Sequence, residues 1–297
     1  MPMSKTLATQ GSSAFDDQAA GLRRLRPLRP VQVLAVSSGK GGVGKTSVSV
    51  NLAMAMAIAG KKVVLLDGDL GLANVDVMLG LQPSYNMANV LAGECTLDDT
   101  LIEAPHGLCV VPASSGKRHM AELTPMQHAG IVQAFSDLRR PLDVLVVDTA
   151  AGITDSVITL SQAAQQLIVV VTQDPSSITD AYALIKVLSR GQGMQRVQVL
   201  ANMVANEAEA REIFESLRRV AERFLDVTLS YLGSVPQDEW LRRAVRRQRA
   251  VVDAYPNCPS SAAFHNLAKK ALSFGSPIGA RGHLEFFVER LVQRTAG

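Results

Sequence analysis

At 297 residues the chain can bury one large core, and its length alone does not call for a second domain. A composition 47% hydrophobic and 19% charged fits a soluble globular protein; with no apolar run of membrane-spanning length and no signal-peptide core near Lys5, Asp16 and Asp17, the expected site of action is the cytoplasm. A net charge of +3 is too slight to name nucleic acid as a partner, and three cysteines without C-x-x-C spacing (Cys95, Cys109, Cys258) argue against a disulfide framework or a zinc site.

Residues 1–30, rich in Ser, Gln, Gly and Arg, read as a leader. Within it Phe15 to Leu25 has the pattern of a short helix capped by Asp16 or Asp17, with Ala19, Leu22 and Leu25 along one side, ended by Pro27 and Pro30. Taken alone, the segment is a capped turn able to fold on a partner. Next comes Val31 to Thr46, VQVLAVSSGKGGVGKT, an apolar strand running into G-x-x-x-x-G-K-[ST] from Gly39 to Thr46 and then an apolar helix through Val48, Leu52, Ala53, Met56 and Ala59. Glycines at 39, 41, 42 and 44 let the backbone approach an anion, Lys45 supplies a charge for the β- and γ-phosphates, and the Thr46 hydroxyl is placed for Mg²⁺.

From residue 31 to about 233, short β-branched runs alternate with helical stretches. Strands are expected at 31–37, 62–67, 108–112, 142–148, 167–172, 196–201 and 228–232, and helices between them include Ser177–Leu188 and Glu207–Phe224. Runs such as Leu142 to Asp148 and Leu167 to Thr172 are apolar on both faces, as a parallel sheet covered on both sides requires. The predicted fold is α/β, a doubly wound, mostly parallel sheet with ligands at the carboxyl ends of its strands. No internal repeat is visible.

Acidic residues stand at those ends. Asp67 and Asp69, spaced i, i+2 after the second strand, can both face a phosphate–metal site, although Asp-Gly is also a turn former; Asp148 ends the strand that starts at Leu142. Asn202 follows Val197–Ala201, where it reads equally as a cap, a turn residue or a ligand. Gly233 to Asp238, including Pro236, follows the last strand. The helix 241–249 carries five arginines, either a solvated face with Leu241, Ala244 and Val245 turned inward, the preferred reading, or a grip on DNA phosphates. Beyond a Gly/Pro hinge at 275–282, Leu284, Phe287, Val288, Leu291 and Val292 fall on one helical face, which either docks on the domain or lies on a membrane.

Lys40, directly after the first loop glycine, makes the loop resemble the deviant Walker A sequence of the MinD/ParA/nitrogenase-iron-protein ATPases. That resemblance implies ATP with Mg²⁺ held by Gly39, Lys40, Gly41, Gly42, Val43, Gly44, Lys45, Thr46 and Ser47, with Lys40 reaching across a homodimer to the partner's nucleotide. It also implies that Asp69 orients the attacking water, that Thr46, Asp67 and Asp148 serve the magnesium shell, and that the amides of Ala151 and Gly152 sense the γ-phosphate, Ala150 standing where many members have glycine. Asn202, Pro236 and Asp238 are the implied adenine contacts. The leader motif Asp17-Gln18-Ala19-x-x-Leu22-Arg23 looks like that of the MinD-like flagellar-number regulators (FlhG, also called FleN or YlxH). This narrower resemblance implies binding and stimulation of the GTPase FlhF through the leader, restraint of a FleQ-type transcriptional activator, and a C-terminal helix that targets the inner membrane when ATP is bound. The expected organisation is a leader (1–30), an ATPase domain (31–274), and a hinge with a membrane-targeting helix (275–297). The rival reading is a ParA-type ATPase that positions DNA or protein cargo through 241–249.

Overall fold

Along the first strand, β1 (Gln32–Ser38), side chains alternate between two dry faces. Val33 and Ala35 join the apolar layer on one side and Leu34 and Val36 the layer on the other, all fully buried. The strand Gln166–Val171 divides likewise, Leu167, Val169 and Val171 against Ile168 and Val170. Such strands are stable only inside a sheet covered on both faces. The computed structural model describes residues 31–114, 123–274 and 285–287.

β1 leads through the glycine-rich loop into α1 (Lys45–Ile58), followed by β2 (Val63–Gly68), the short helices α2 (Val75–Leu79), α3 (Met87–Leu91) and α4 (Leu97–Thr100), β3 (Ile102–Glu103) and β4 (Cys109–Val111). Then α5 (Pro125–Ser136), β5 (Val144–Ala151), α6 (Asp155–Ala163), β6 (Gln166–Val171), α7 (Pro175–Gln192), β7 (Arg196–Val204), α8 (Glu207–Phe224) and β8 (Thr228–Pro236) alternate. The described helices close with α9 (Glu239–Arg246), α10 (Val251–Ala254) and α11 (Pro259–Leu272). The strands make one eight-stranded sheet in the order β3-β4-β2-β5-β1-β6-β7-β8, parallel except where β3 meets β4. Helices α5 to α8 cover one face, and α1, α9, α10 and α11 the other.

The doubly wound sheet is thus as expected, with one addition. β3, two residues long and antiparallel, is too short to leave a periodic trace in sequence. β5, β7 and β8 also run three to four residues past the expected ends, carrying Ala151, Asn202 and Pro236 into the sheet's carboxyl edge. α8 begins and ends where the pattern placed it. Asn206 caps it by accepting the Glu209 N–H at 2.9 Å, and Ala210, Ile213, Phe214, Leu217 and Ala221 form its buried stripe.

The carboxyl-terminal expectation needs correction at Phe287. Residues 286–287 form a turn, not a helix: Phe287 has φ 57°, a left-handed conformation that cannot continue an α-helix. Phe286 and Phe287 are buried, their rings edge-on to Phe135 with centroids 5.3 and 6.4 Å away, and the Phe286 N–H donates to the Ala163 carbonyl at 3.2 Å. Burying two aromatic rings outweighs helical continuity here, since burying each phenyl contributes about 2–3 kcal/mol and one backbone hydrogen bond about 1 kcal/mol. Leu284, Val288, Leu291 and Val292 lie outside the described residues, as does the leader with Asp17, Gln18, Ala19, Leu22 and Arg23.

Candidate functional site

The connections from β1 and from its neighbours β5 and β6 leave toward opposite sides of the sheet, which opens a crevice at the carboxyl end of β1. The loop Gly39–Gly44 lies there and delivers Lys45, Thr46 and Ser47 into the first turn of α1. Two glycines are sterically required. A Cβ on Gly39 would stand 2.1 Å from the Asp180 backbone of α7, and Gly44, at φ 81°, would bring a Cβ within 2.5 Å of the Asn202 side chain. Gly44 takes the N-cap position of α1 without a side-chain cap, so the first N–H groups of that helix are left for an anion.

Beneath the loop, Lys45 Nζ and the Ser49 hydroxyl both donate to Asp148 Oδ1, at 2.8 and 2.7 Å, and all three side chains are buried. The other oxygen, Asp148 Oδ2, is buried with no hydrogen-bond partner. A buried, unpaired carboxylate oxygen is costly unless a cation or its water shell completes it, so the residues fit Mg²⁺. Asp67, paired with Asp148 across β2 and β5, accepts N–H groups from Asp69 (3.2 Å), Asn74 (2.9 Å) and Val75 (3.1 Å), which folds the Asp69–Asn74 loop around it. Burial, followed by the charge of Asp148, pushes the Asp67 carboxyl up to about 7. Two neighbouring carboxylates with one lysine, paired to Asp148, describe a site short of positive charge. Asp69, half-buried, is raised chiefly by burial; the Lys45 charge opposes that shift and Asp148 adds to it, placing Asp69 within electrostatic reach of both.

The expected residues do not all stand as expected. Lys40 does not point at its own loop: Nζ pairs with Asp174 Oδ2 at 2.7 Å and the Ser176 hydroxyl at 2.5 Å, at the amino end of α7. Gly152, at φ 95°, donates its N–H to the Ser38 carbonyl at 2.9 Å, extending the β1–β5 pairing, so this amide is engaged rather than free to meet a phosphate; Ala151, paired in register with Ser38, sits in the same strand end. Asp238 is also committed. Its oxygens accept the Trp240 and Ser260 N–H groups at 2.9 and 3.0 Å, and although burial alone pushes this carboxyl up, those N–H groups hold it below the usual range. It therefore positions α9 and α11 rather than offering a free carboxylate. Asn202 keeps an open acceptor: Nδ2, beside Gly44, donates to the Val43 carbonyl at 2.8 Å, while Oδ1 is buried without a partner. Pro236 ends β8 next to Val204.

Sequence reasoning missed several participants. Ser37, its hydroxyl 2.9 Å from that of Thr149 and 3.0 Å from that of Ser161, pins β1 to β5 and α6. Asn51 Oδ1 accepts the Val251 N–H at 2.7 Å, tying α1 to α10. Ser49 leaves a signal only as a small polar residue one turn after Lys45. Asp174, which caps α7 ahead of the expected helix start, left no sign in the sequence of being the counter-ion of Lys40.

With this geometry in view, the class is that of a P-loop nucleotide hydrolase of deviant Walker A type. The ParA family, described as NUBPL iron-transfer P-loop NTPase, matches residues 30–272. The chain is 56% identical to the antiactivator FleN of Pseudomonas aeruginosa, over 93% of this chain and 98% of that one. It is 36% identical to the flagellum site-determining protein YlxH of Helicobacter pylori, over 75% and 76% of the two chains. Among solved structures, the septum site-determining protein MinD complexed with Mg-ADP from Pyrococcus horikoshii superposes with a TM-score of 0.68 at 25% identity, covering 81% of this chain and 96% of that one. The chain belongs to the MinD/ParA family of P-loop ATPases, close to FlhG/FleN.

Proposed function

We propose that the chain is an ATP-dependent dimerising switch that controls flagellar number or placement, acting through the GTPase FlhF and a FleQ-type activator at the inner membrane. The observation that carries the reading is the position of Lys40. It is 32% exposed at the rim of the loop, held by an Asp174 that is itself 51% exposed, while Lys45 is locked beneath the loop. A lysine turned away from its own phosphate cradle is available to a nucleotide held by another copy. An exposed pair is also weakened by water and salt, so phosphate charge competes for Lys40 readily.

In this reading Thr46, Asp67 and Asp148 would hold Mg²⁺, which, when bound, neutralises charge on the phosphates. Lys45 exchanges Asp148 for phosphate oxygens, Asp69 orients the attacking water, and release of the Gly152 amide from Ser38 supplies a donor for the γ-phosphate. Asn202 Oδ1, a buried acceptor, matches the amino group of adenine and would oppose the carbonyl of guanine. The names of FleN, an antiactivator, and YlxH, a flagellum site-determining protein, support the flagellar output. Sizing chromatography with an ATP analogue tests the switch: the parent should elute as a dimer and Lys40→Ala as a monomer. A Lys40→Ala protein that dimerises and hydrolyses ATP like the parent would overturn the reading.

A further inference from the structure

A dense run of positive charge lies on α9 and the turn after it, where Arg242, Arg243, Arg246, Arg247 and Arg249 are all exposed. Arg243 pairs with Glu239 at 3.0 Å and Arg249 with Asp253 at 2.7 Å. Among the described residues, no carboxylate lies within ion-pair distance of Arg242, Arg246 or Arg247. Beside them Trp240, 37% exposed, and Tyr255 stand with ring centroids 4.8 Å apart at 50°. The Arg243 guanidinium lies 4.6 Å over the Trp240 ring and that of Arg247 5.7 Å over Tyr255. The two rings edge an open hollow of about 380 Å³ lined also by Pro256, Asn257 and Cys258.

Tryptophan, tyrosine and arginine are the side chains that dominate binding energy at protein interfaces. A guanidinium laid over a ring turns its N–H edge outward, the arrangement that takes a carboxylate with two parallel hydrogen bonds. Two features choose among anionic partners. The rings are tilted 50° to one another and each has a guanidinium laid over it, so they do not form a pair of parallel faces for the base stacking that single-stranded nucleic acid requires. The cationic stretch is confined to an eight-residue helix and its exit turn on a chain of net charge +3, short for tracking a duplex backbone.

We propose that this face docks an acidic, Asp/Glu-rich segment of a protein partner. The face is fixed in the fold at both ends: Asp238 caps α9, and beyond its other end Gln248 Nε2 donates to the Val77 carbonyl of α2, the helix that follows the Asp67–Asn74 loop. The proposal does not depend on dimerisation or on the flagellar reading.

Trp240 is the only tryptophan in the chain, so its emission reports on this surface directly. Titration with a short Asp/Glu peptide should give a saturable emission change that a Gln/Asn peptide of the same length does not. R242E/R246E/R247E should weaken peptide binding about tenfold or more while ATP-analogue binding is kept. If that variant does not fold, Arg246→Gln alone should weaken peptide binding measurably. No binding by the parent, or equal binding by parent and variants, would overturn the proposal. So would single-stranded DNA, duplex DNA or anionic lipid vesicles binding the parent more tightly than the peptide at the same salt and losing that binding in the variants.

Discussion

Lys40 and Lys45 share a chemistry and differ in surroundings, and that difference assigns their roles. Lys45 is buried with Asp148, so removing it strands a carboxylate in a dry site; Lys45→Ala should abolish nucleotide binding and lower stability, measurable by calorimetry and urea unfolding. Lys40 sits in an exposed pair, so Asp174→Asn frees it at little structural cost. Dimerisation should then need about two- to fivefold less ATP, read from the ATP dependence of sizing chromatography. The pH response belongs to Asp67. Its folded-state carboxyl, at about 7 against an ordinary 3.8, takes up a proton on folding between those values, so this group costs the magnesium-free fold stability as pH rises through that window. The urea midpoint of the nucleotide-free parent should therefore fall from about pH 5 to about pH 8 more steeply than that of Asp67→Asn.

At the scale of elements, α1 serves both the phosphate site and the core. Its first turn presents Lys45 and Thr46, while one turn farther on Asn51 accepts the Val251 and Val252 N–H groups at 2.7 and 3.4 Å. Asn51→Leu leaves both buried N–H groups unpaired and should cost about 1–3 kcal/mol in urea unfolding, with weaker nucleotide binding as α1 loses its hold on α10. This contact also marks where sequence legibility ended. The loop, Asp67, Asp69 and Asp148 stood out as candidates because each closes a strand pattern at the edge where a parallel sheet binds ligands, whereas the spacing alone left Asn202 open between cap, turn and ligand. The partners of Lys40 and Asn51 did not stand out, since they join positions 134 and 200 residues apart and no local period records such a meeting. The same holds for Phe287, whose helical spacing was real in the sequence but lost to an aromatic seat on Phe135, far from it in the chain.

At the scale of the whole molecule, that seat sets a condition on the proposed membrane binding. Helix α6 begins just past the Asp148–Gly152 strand end and finishes at Ala163, whose carbonyl holds the Phe286 N–H, so one short helix joins the nucleotide crevice to the carboxyl-terminal segment. If the apolar side chains at 284–292 are to enter a lipid surface, Phe287 must leave Phe135, and the burial of both rings opposes that exchange. Under the proposed membrane role, a change that loosens the seat should therefore raise membrane binding without ATP, and charge placed at 291 and 292 should remove it with ATP. Phe135→Leu, a modest loss of packing of about 1–2 kcal/mol, should increase sedimentation of the nucleotide-free chain with anionic liposomes. Leu291→Asp with Val292→Asp should abolish ATP-dependent sedimentation and leave ATP-dependent dimerisation intact. Sedimentation unchanged in both variants would mean that the segment is a fixed part of the domain, and the membrane role would fall while the ATPase assignment stood.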